Sequence, residues 1–536
     1  MVDGANRLQA FLRVTLPLTA PALLAVTLFA FTNAWKEFLF AFVFITSEKL
    51  MTLPVGLAQT HLWRYLPLGH ADGCLLAHLH PGGHFLHVGP ALHDRWPDRW
   101  QRERLARMRI TDMHVTPIAI ADPPLLNAAG LHAPYALRTI VEIVTDDNLY
   151  GLGEVPGSAA TTAALEAARE VVVGKDPFQL NAIQAELIAR FGEDGAGARG
   201  EAPWDKRRMV HVYSAIEVAC FDLMGKATGR PVCDLLGGRV RDRVEFSAYL
   251  FYKYEGAGGA LGFETDPNAT GWAAARQRAA LDPEGIVAQA KAMCDAFGFR
   301  SIKLKGGAMP PDEEADAILA LREAFGPGTP LRLDPNAIWK VETAIRIGER
   351  LRGVLEYYED PVRGQENMAK VRTALKDIPL ATNMCTTSFE DIPGSVRLHS
   401  EDIILSDHHF WGGLRASVEL ARICRTFGRG LSMHSNSHVG ISLMAMAHLA
   451  AATPNLTYAC DTHYPWQSEE LLVGGRIPFD EGCVVIPNEP GLGIELDREA
   501  LARLHEQYKA CGLTERNDEV EMQKVQPGWK FQATRW

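Results

Sequence analysis

Two lysines on one predicted strand are the first residues of this sequence whose types and spacing suit proton transfer. Lys303 and Lys305 lie two residues apart in the apolar stretch Ile302–Lys305, so both side chains point to the same face of a β-strand. We expect two ammonium groups in a poorly solvated site to lower each other's pKa, which makes one of them a credible base. Snorkelling surface lysines are the alternative, but Ile302 and Leu304 require the other face to be buried.

A carboxylate and an imidazole form the second candidate for proton transfer. Asp407 and His434 end two successive predicted strands, Ile403–Asp407 and Leu431–Asn436. Neighbouring barrel strands bring such side chains together, and a carboxylate beside an imidazole orients the ring and raises its basicity. His434 alone is typical of a hydrogen-bonded structural histidine, but the aspartate partner favours a general base.

Three oxygen-bearing side chains end three consecutive predicted strands between these two candidates. They are Asp334, Glu359 and Asn383, and a set of oxygen ligands without Cys or His suits Mg²⁺ rather than zinc. One acid at a strand end could simply cap the next helix, but three in succession favour a metal site. A metal ion with a base on either side predicts removal of a proton next to a carboxylate, with an enediolate stabilised by the metal.

The elements that must position these residues follow a regular repeat. The polar strand ends recur at intervals of 24 to 31 residues from Lys303 to His463, with helical stretches such as Pro311–Phe325 and Val341–Leu351 between them. The last predicted strand is Leu456–His463. This repeat predicts an α/β fold with a (β/α) barrel over 246–480, whose chemistry lies at the C-terminal ends of the strands. A doubly wound sheet is the competing fold, but no Gly-x-Gly-x-x-Gly follows a strand.

The preceding segment, 108–245, has the pattern of an α+β domain. Alternating β-branched and polar residues around a turn at Asp147-Asn148 predict a hairpin, and two later stretches have helical periodicity. The predicted elements are the strands Thr139–Thr145 and Leu149–Val155 and the helices Thr161–Val173 and Lys206–Gly225.

The first 59 residues differ in character. Val14 to Trp35 are 22 uncharged residues between Arg13 and Lys36, which predicts a short hydrophobic membrane-type segment and membrane contact through residues 14–45. A buried soluble helix and a signal peptide fit this run less well. Asp3-Gly4-Ala5 and Leu53-Pro54-Val55-Gly56-Leu57 resemble the end of a carbohydrate ABC-transporter permease over 1–59.

Residues 60–107 match neither a linker nor a membrane span. Seven of the 18 His fall between His61 and His93, without the spacing of ligands on one helix face. We hypothesise that this junction is disordered or a permease tail read out of frame, running on to an enzyme that starts at Met108. Resequencing the junction tests the hypothesis.

Charge and cysteine content exclude several classes of protein. The net charge is −11, and the balance of +3 over residues 1–107 leaves −14 for residues 108–536. An acidic chain with a pI near 5.9 is not expected to bind nucleic acid. Nine scattered Cys without a Cys-x-x-Cys pair indicate reduced thiols and a cytoplasmic enzyme, with membrane attachment through the N-terminal segment as an alternative.

The ordered series of short motifs in residues 108–536 resembles the enolase superfamily, and within it the glucarate dehydratases. Lys-x-Lys alone would be a weak signal, whereas the whole series is specific. The matching stretches are Leu126-Asn127, His132–Pro134, Ile302–Gly307, Leu333–Asn336, Glu359–Pro361, Ala381–Met384, Asp407–Trp411, His434–Asn436, Asp461–His463, Pro490–Gly493 and Pro527–Trp529.

The resemblance implies a barrel of the enolase type, covered by a cap made of 108–245 and the C-terminal segment 481–536. It implies Mg²⁺ on the three oxygen ligands, and His434 supported by Asp407 as the base acting on D-glucarate. Lys305 would be the base for the C5 epimer and Lys303 would stabilise the enediolate, giving 5-keto-4-deoxy-D-glucarate. Residues at positions that contact substrate in the family are Asn127, His132, Tyr249, Asn336, Asn436, His463 and Arg516.

Three departures from the family pattern leave the preferred acid sugar open. Pro203-Trp204-Asp205 replaces a Thr-Phe-Asp stretch, His408 replaces a proline and Gly440 replaces an acid. Galactarate or another aldarate is therefore the alternative substrate. A non-catalytic, membrane-anchored transporter-associated protein is the alternative from another class, although it predicts the loss of a metal ligand and none is lost. We also expect a homo-oligomer.

Overall fold

A computed structural model describes residues 108–192 and 207–536 of the chain. The described residues all belong to one compact unit of the chain. No described helix is long and apolar enough to cross a membrane. The span predicted over 14–35 and the junction 60–107 lie outside the described residues, so both stay predictions.

Seven parallel strands form one curled sheet in which every strand pairs with the next one in the sequence. Apolar residues make up most of these strands and are buried along nearly their whole length, as expected when helices cover one face and side chains fill the other. The strands are β7 (Ala248–Phe251), β8 (Ile302–Lys305), β9 (Leu331–Asp334), β10 (Tyr357–Glu359), β11 (Leu380–Thr382), β12 (Ile403–Ser406) and β13 (Gly430–Met433).

The segment 457–461 closes the ring between β13 and β7. The amide of Asp461 donates to the carbonyl of Met433 in β13, and on the other side the amide of Ser247, directly before β7, donates to the carbonyl of Cys460. A strand predicted over Leu456–His463 is therefore not a regular strand, because its backbone is shared between two neighbours through isolated hydrogen bonds.

Helices follow the strands as the sequence pattern predicts. The helix predicted over Pro311–Phe325 is confirmed with those bounds; it begins with a proline and has acids in its first turn, as helix starts favour. The described helices of this part are α5 (Gly271–Ala275), α6 (Pro283–Phe297), α7 (Pro311–Phe325), α8 (Val341–Arg350), α9 (Gln365–Ala374), α10 (Ile392–Leu398), α11 (His408–Trp411), α12 (Leu414–Thr426) and α13 (Gly440–Ala451).

A three-stranded antiparallel sheet in the order β1-β4-β5, here named the capping sheet, precedes the barrel. The predicted hairpin is confirmed as β4 and β5, and the predicted helices as α1 and α3. Its elements are β1 (Ile110–Ala121), β4 (Tyr135–Thr145), β5 (Tyr150–Pro156), α1 (Ala159–Val172), α2 (Leu180–Phe191) and α3 (Arg208–Thr228), with the short elements β2 (Leu126–Asn127), β3 (Gly130–Leu131), α4 (Val232–Leu235) and β6 (Arg243–Glu245).

Two glycines of β5 allow α3 to pack closely on the capping sheet. A Cβ on Gly151 would lie 2.0 Å from the carbonyl oxygen of Ala219, and one on Gly153 would lie 2.1 Å from that of Ala215. The alternating Gly-Leu-Gly stretch therefore sets the distance between this sheet and its helix.

The C-terminal segment packs against the capping sheet. His505 and Gln507 of α14 hydrogen-bond to the carbonyl oxygens of Pro117 and Ala119 in β1. The last elements are β14 (Cys483–Val485), α14 (Arg498–Cys511) and α15 (Asp518–Val525). The domain bounds drawn from the sequence stay predictions.

Candidate active site

Seven buried polar side chains cluster around the C-terminal ends of six consecutive barrel strands. Apolar neighbours hold each strand in the ring, so the polar residue at its end turns towards the mouth of the barrel. The seven are Lys303 and Lys305 on β8, Asp334 on β9, Glu359 on β10, Asn383 after β11, Asp407 after β12 and His434 after β13, and each is at most 7% exposed.

The two lysines share a carboxylate, as their common strand face predicts. Lys305 Nζ donates to Asp334 Oδ2 and to Asn336 Oδ1, each at 2.7 Å. Lys303 Nζ lies 3.4 Å from the same Asp334 oxygen and 2.6 Å from both Glu359 Oε2 and Asp461 Oδ2. The structure therefore surrounds Lys303 with three carboxylates.

The expectation that the lysine pair lowers its own pKa is wrong for Lys303. Burial alone would lower the pKa of Lys303, but the carboxylates of Asp461 and Glu359 hold it well above its ordinary value. Its Nζ also lies 4.7 Å from the centre of the Tyr249 ring, where a cation is attracted to the π-face. Lys303 is thus held as a cation, which suits charge stabilisation rather than proton removal.

The three oxygen ligands fit a divalent metal ion. Asn383 Nδ2 donates to Glu359 Oε1 at 2.8 Å, while the buried Asn383 Oδ1 has no hydrogen-bond partner among the described residues. Glu359 Oε2 likewise lacks an aligned hydrogen bond there, despite its close ion pair with Lys303. Burial and the charge of Asp334 raise the pKa of Glu359 well above its ordinary value. A divalent cation would satisfy these oxygens and relieve the repulsion between the carboxylates.

Asp360 hydrogen-bonds to Thr382 and Asn383 at the end of β11 and was not singled out from the sequence. Its carboxylate accepts hydrogen bonds from the amide of Asn383, at 2.8 Å, and from the hydroxyl of Thr382. Asp360 adopts a φ of 36°, a left-handed conformation that is strained for a residue with a side chain. This strained turn allows the side chain of Glu359 to point into the site, while the side chain of Asp360 hydrogen-bonds to the end of the neighbouring strand, β11.

The predicted Asp407–His434 pair is in contact. His434 Nδ1 lies 2.9 Å from Asp407 Oδ2, and the other oxygen, Oδ1, lies 2.9 Å from both the amide nitrogen and the Nδ1 atom of His409. Burial works to raise the pKa of Asp407, but hydrogen bonding to His434 and its charge hold the pKa below the ordinary value. Asp407 is therefore a buried carboxylate that bridges two imidazoles.

The seven predicted substrate-contact residues fall into several places around the mouth. His132 Nδ1 lies 2.8 Å from Asp122, and its Nε2 lies 2.7 Å from Arg516. Arg516 forms a two-pronged ion pair with Asp518, which also accepts a hydrogen bond from Asn127. Asn127, His132 and Arg516 are thus brought together, although they are far apart in the sequence.

Aromatic contacts connect this cluster to the lysines. The His463 ring stacks on His132 with centres 6.4 Å apart and meets the Tyr249 ring edge-on at 4.9 Å. Asn336 contacts Lys305, whereas Asn436 lies on the histidine side, where its Oδ1 accepts a hydrogen bond from Arg138 at 3.0 Å.

Two further features of the site were missed from the sequence. Asp461 belongs to a recognised motif and precedes the predicted contact His463, so its position at the end of a ring segment could have identified it as a partner of Lys303. Arg138 and Glu154 lie on β4 and β5 of the capping sheet, more than 250 residues from the histidines that they approach. No spacing in the sequence indicates that contact.

Of the three departures from the family pattern, the structure accounts for one. A Cβ on Gly440 would lie 2.4 Å from Leu472 Cδ1 and 2.9 Å from a carboxylate oxygen of Glu470, so a side chain at position 440 would not fit. Nothing in the structure explains His408, a buried imidazole without a hydrogen-bond partner for either ring nitrogen among the described residues. Pro203-Trp204-Asp205 lies outside the described residues.

Two family models match this chain. Residues 115–237 match the mandelate racemase / muconate lactonizing enzyme N-terminal domain, and residues 285–500 match the enolase C-terminal domain-like model. The matched residues give no support to the permease resemblance of residues 1–59, which stays a prediction.

Similar proteins cover the same part of the chain. A probable glucarate dehydratase of Streptomyces coelicolor is 48% identical over 432 residues, which are 79% of this chain and 97% of that protein. An enolase from Mycobacterium smegmatis, crystallised with tartrate, is 51% identical with a TM-score of 0.73 and covers 80% of this chain and 99% of its own. An enolase from Thermobispora bispora, crystallised with magnesium and formate, is 51% identical with a TM-score of 0.73 over 79% and 99%.

Proposed function

This chain belongs to the enolase superfamily and is a hydro-lyase of that superfamily, and we propose that it converts D-glucarate to 5-keto-4-deoxy-D-glucarate. The proposal rests on the arrangement of two proposed bases around three proposed metal ligands. Lys305 on β8 and His434 after β13 are separated by four strands, three of which end in Asp334, Glu359 and Asn383.

In the proposed reaction His434 takes the proton from the carbon next to one carboxylate of D-glucarate. The neighbouring hydroxyl group leaves as water, and the enol that remains becomes the keto acid. Asp407 orients His434 and stabilises the imidazolium that forms. The three oxygen ligands would hold Mg²⁺, whose charge makes the weakly acidic proton removable.

The positive groups of the site compensate for the charge of a dianionic substrate. Lys303 is held as a cation by its carboxylate neighbours, so it is suited to stabilise the enediolate. Lys305 ends β8, separated from His434 by four strands around the sheet, and we propose that it acts on the C5 epimer. Arg516 and His132 lie beside the mouth and are proposed to bind the distal carboxylate.

Dehydration of aldarates by the purified full chain tests the proposal. With Mg²⁺, D-glucarate should yield a keto-deoxy acid that is detected with semicarbazide and identified by proton NMR. Chelation of the metal ion should stop the reaction, and added Mg²⁺ should restore it. Absence of turnover on D-glucarate, its C5 epimer and galactarate would contradict the proposal.

The same aldarate panel decides between D-glucarate and galactarate. The two acids differ in the configuration of one hydroxyl group, so the comparison of kcat/KM isolates the contacts to that group. A higher kcat/KM for galactarate would retain the reaction and change the proposed substrate. The cytoplasmic location and the homo-oligomer remain predictions.

A further inference from the structure

The Asp407 carboxylate contacts two histidines, His434 and His409, although only His434 is proposed to act as a base. Oδ2 faces His434 Nδ1, whereas Oδ1 faces His409 Nδ1, both at 2.9 Å. His409 is 4% exposed and belongs to α11, which begins directly after Asp407. The proposed reaction uses His434 and Asp407 but not His409, so the contact between His409 and Asp407 has another role.

The surroundings of His409 determine which of its nitrogens carries the proton. Its Nε2 atom lies 3.3 Å from a guanidinium nitrogen of Arg138 and 3.0 Å from the hydroxyl of Ser442. Arginine can only donate hydrogen bonds, so Nε2 must be the acceptor. The proton of a neutral His409 therefore resides on Nδ1, where it is donated to Asp407.

Arg138 is fixed in this position by the capping sheet and by a barrel helix. Its Nε donates to Glu154 Oε1 at 2.7 Å, and both side chains are at most 2% exposed. Glu154 in turn accepts hydrogen bonds from the amides of Val439 and Ser442 at the start of α13. A buried ion pair with these additional hydrogen bonds is held in one geometry.

We propose that His409, oriented by Arg138, is a positioning residue that fixes the tautomer and orientation of His434. With Asp407 Oδ1 occupied by donors from His409, Oδ2 is directed at His434 and accepts the proton of its Nδ1. His434 Nε2 is then the nitrogen that takes the substrate proton. This inference rests on the proposed function of His434 as a base, and it connects the capping sheet to one of the two bases.

When His409 is neutral, the negative charge of Asp407 is available to stabilise the imidazolium of His434. The charged and titratable groups that face His409 are Asp407, Arg138, His408, His211 and His438. The backbone of Glu154 also contacts His409, while the carboxylate of Glu154 is paired with Arg138. Burial and the charge of Arg138 lower the pKa of His409 well below its ordinary value. A protonated His409 would compete with the imidazolium of His434 for the same carboxylate and so weaken the base.

Two amide substitutions separate this role from simple packing. In His409→Asn the side-chain amide can occupy the position of Nδ1 and still donate to Asp407, whereas in His409→Gln the amide is placed at the position of Nε2. Both are polar and similar in size to each other. The two variants of the full chain are compared with Mg²⁺ on D-glucarate, which requires His434, and on its C5 epimer, which requires Lys305.

We expect His409→Gln to lower kcat/KM for D-glucarate by about 10- to 100-fold and to change that for the epimer by less than about twofold. The rising limb of its pH profile should move to higher pH, because Asp407 loses a donor and its charge acts more strongly on His434. His409→Asn should retain most of the activity and the normal profile. Equal losses on both epimers, or equal behaviour of the two variants, would overturn the proposal.

Nitrogen-15 NMR of histidine-labelled protein provides a measurement that does not depend on turnover or on a single variant. We expect wild-type His409 and His434 both to carry their proton on Nδ1, and His434 to become a mixture of tautomers in His409→Gln. An unchanged His434 tautomer would contradict the positioning role. If the wild-type enzyme turned over no aldarate but the tautomer changed as expected, the proposed function would fail and the coupling of the two histidines would stand.

Discussion

The two sides of the barrel mouth hold their reactive groups in different ways. On the lysine side, formed by Lys303, Lys305, Asp334, Glu359 and Asp461, every residue comes from the barrel ring and the contacts are ion pairs. On the histidine side, formed by Asp407, His409, His434, Arg138 and Glu154, two residues come from the capping sheet and hydrogen bonds set the direction of each proton.

This difference shows that a cation and a neutral base need different support. A buried lysine stays charged when carboxylates lie within a few ångströms of its ammonium group, and its three N–H donors can meet them from several directions. A neutral histidine is useful only if a specific nitrogen is unprotonated, and that requires a partner at a specific place. Loss of a carboxylate beside Lys303 should therefore lower activity on both substrates, while loss of a histidine-side residue should lower activity on D-glucarate alone.

Loss of a proposed metal ligand should have the largest effect on activity, and it should lower activity on D-glucarate and on its C5 epimer alike. Asp334→Ala removes a proposed Mg²⁺ ligand and a partner of both lysines, so activity on D-glucarate and on its C5 epimer should fall by at least about a thousandfold. Calorimetric titration should show the loss of Mg²⁺ binding. Asp312→Ala, an exposed acid on α7, is the matched control. Unchanged turnover of either epimer would refute the metal assignment.

Removal of each proposed base should distinguish the two sides of the barrel mouth most clearly. His434→Gln should lower dehydration of D-glucarate by about 10²- to 10⁴-fold, while exchange of the C5 proton of the epimer with solvent deuterium continues through Lys305. Lys305→Ala should give the opposite pattern. Proton NMR in D₂O measures both exchange reactions. Equal losses on both epimers in either variant would contradict the assignment of one base to each side.

A weaker effect on both substrates is expected from Asp461→Asn. Asp461 lies 2.6 Å from Lys303 and 3.6 Å from the buried Arg332, so the amide would loosen Lys303 without removing it. We expect kcat to fall by about 10- to 100-fold on both epimers, with little change in KM. Steady-state kinetics with both epimers measure this. A loss confined to D-glucarate would place Asp461 on the histidine side instead.

A second buried lysine shows what happens without carboxylates. Lys253 is fully buried like Lys303, but its Nζ donates to the carbonyl oxygens of Tyr254 and Arg278 and forms no ion pair with any residue that the structure describes. Burial lowers the pKa of Lys253 from 10.5 to about 7. Lys253 and Lys303 are therefore equally buried and differ in whether carboxylates lie beside the ammonium group.

The last prediction follows from this contrast and concerns stability rather than turnover. The pKa of Lys253 is lower in the folded protein than in the unfolded chain, so its contribution to stability is present above pH 10.5 and is lost as the pH falls towards about 7. The Lys253→Met variant does not lose stability in this way, because methionine does not ionise. Its free energy of unfolding should rise relative to wild type by up to about 1.4 kcal/mol per pH unit as the pH falls through this range.

Urea titrations at several pH values measure this difference. Lys291→Met, a change at an exposed lysine of α6, is the control and should leave the difference from wild type independent of pH. A Lys253→Met profile parallel to that of wild type would show that Lys253 is protonated when folded, which would weaken the contrast with Lys303.

Much of the barrel could be predicted from the sequence, because a local rule generates it. Each strand is a short apolar run that ends in a polar residue, and these runs repeat at a nearly constant interval. The repeat was sufficient to predict β8 to β13 and to place Asp334, Glu359 and Asn383 at adjacent strand ends. The segment 457–461 was predicted as a regular strand, but its irregular pairing depends on closure of the ring, which the local pattern does not contain.

The sequence by itself determined the types of reactive groups and their order around the barrel, because strand order follows chain order in a sheet of this kind. Only the tertiary structure decided their electrostatic state. The pKa of Lys303 is raised because Asp461 and Glu359 lie beside its ammonium group, and His409 approaches Arg138 because the capping sheet folds against the barrel. Such contacts join residues that are distant in the chain and leave no periodic signal, so they exist only after the whole domain has packed.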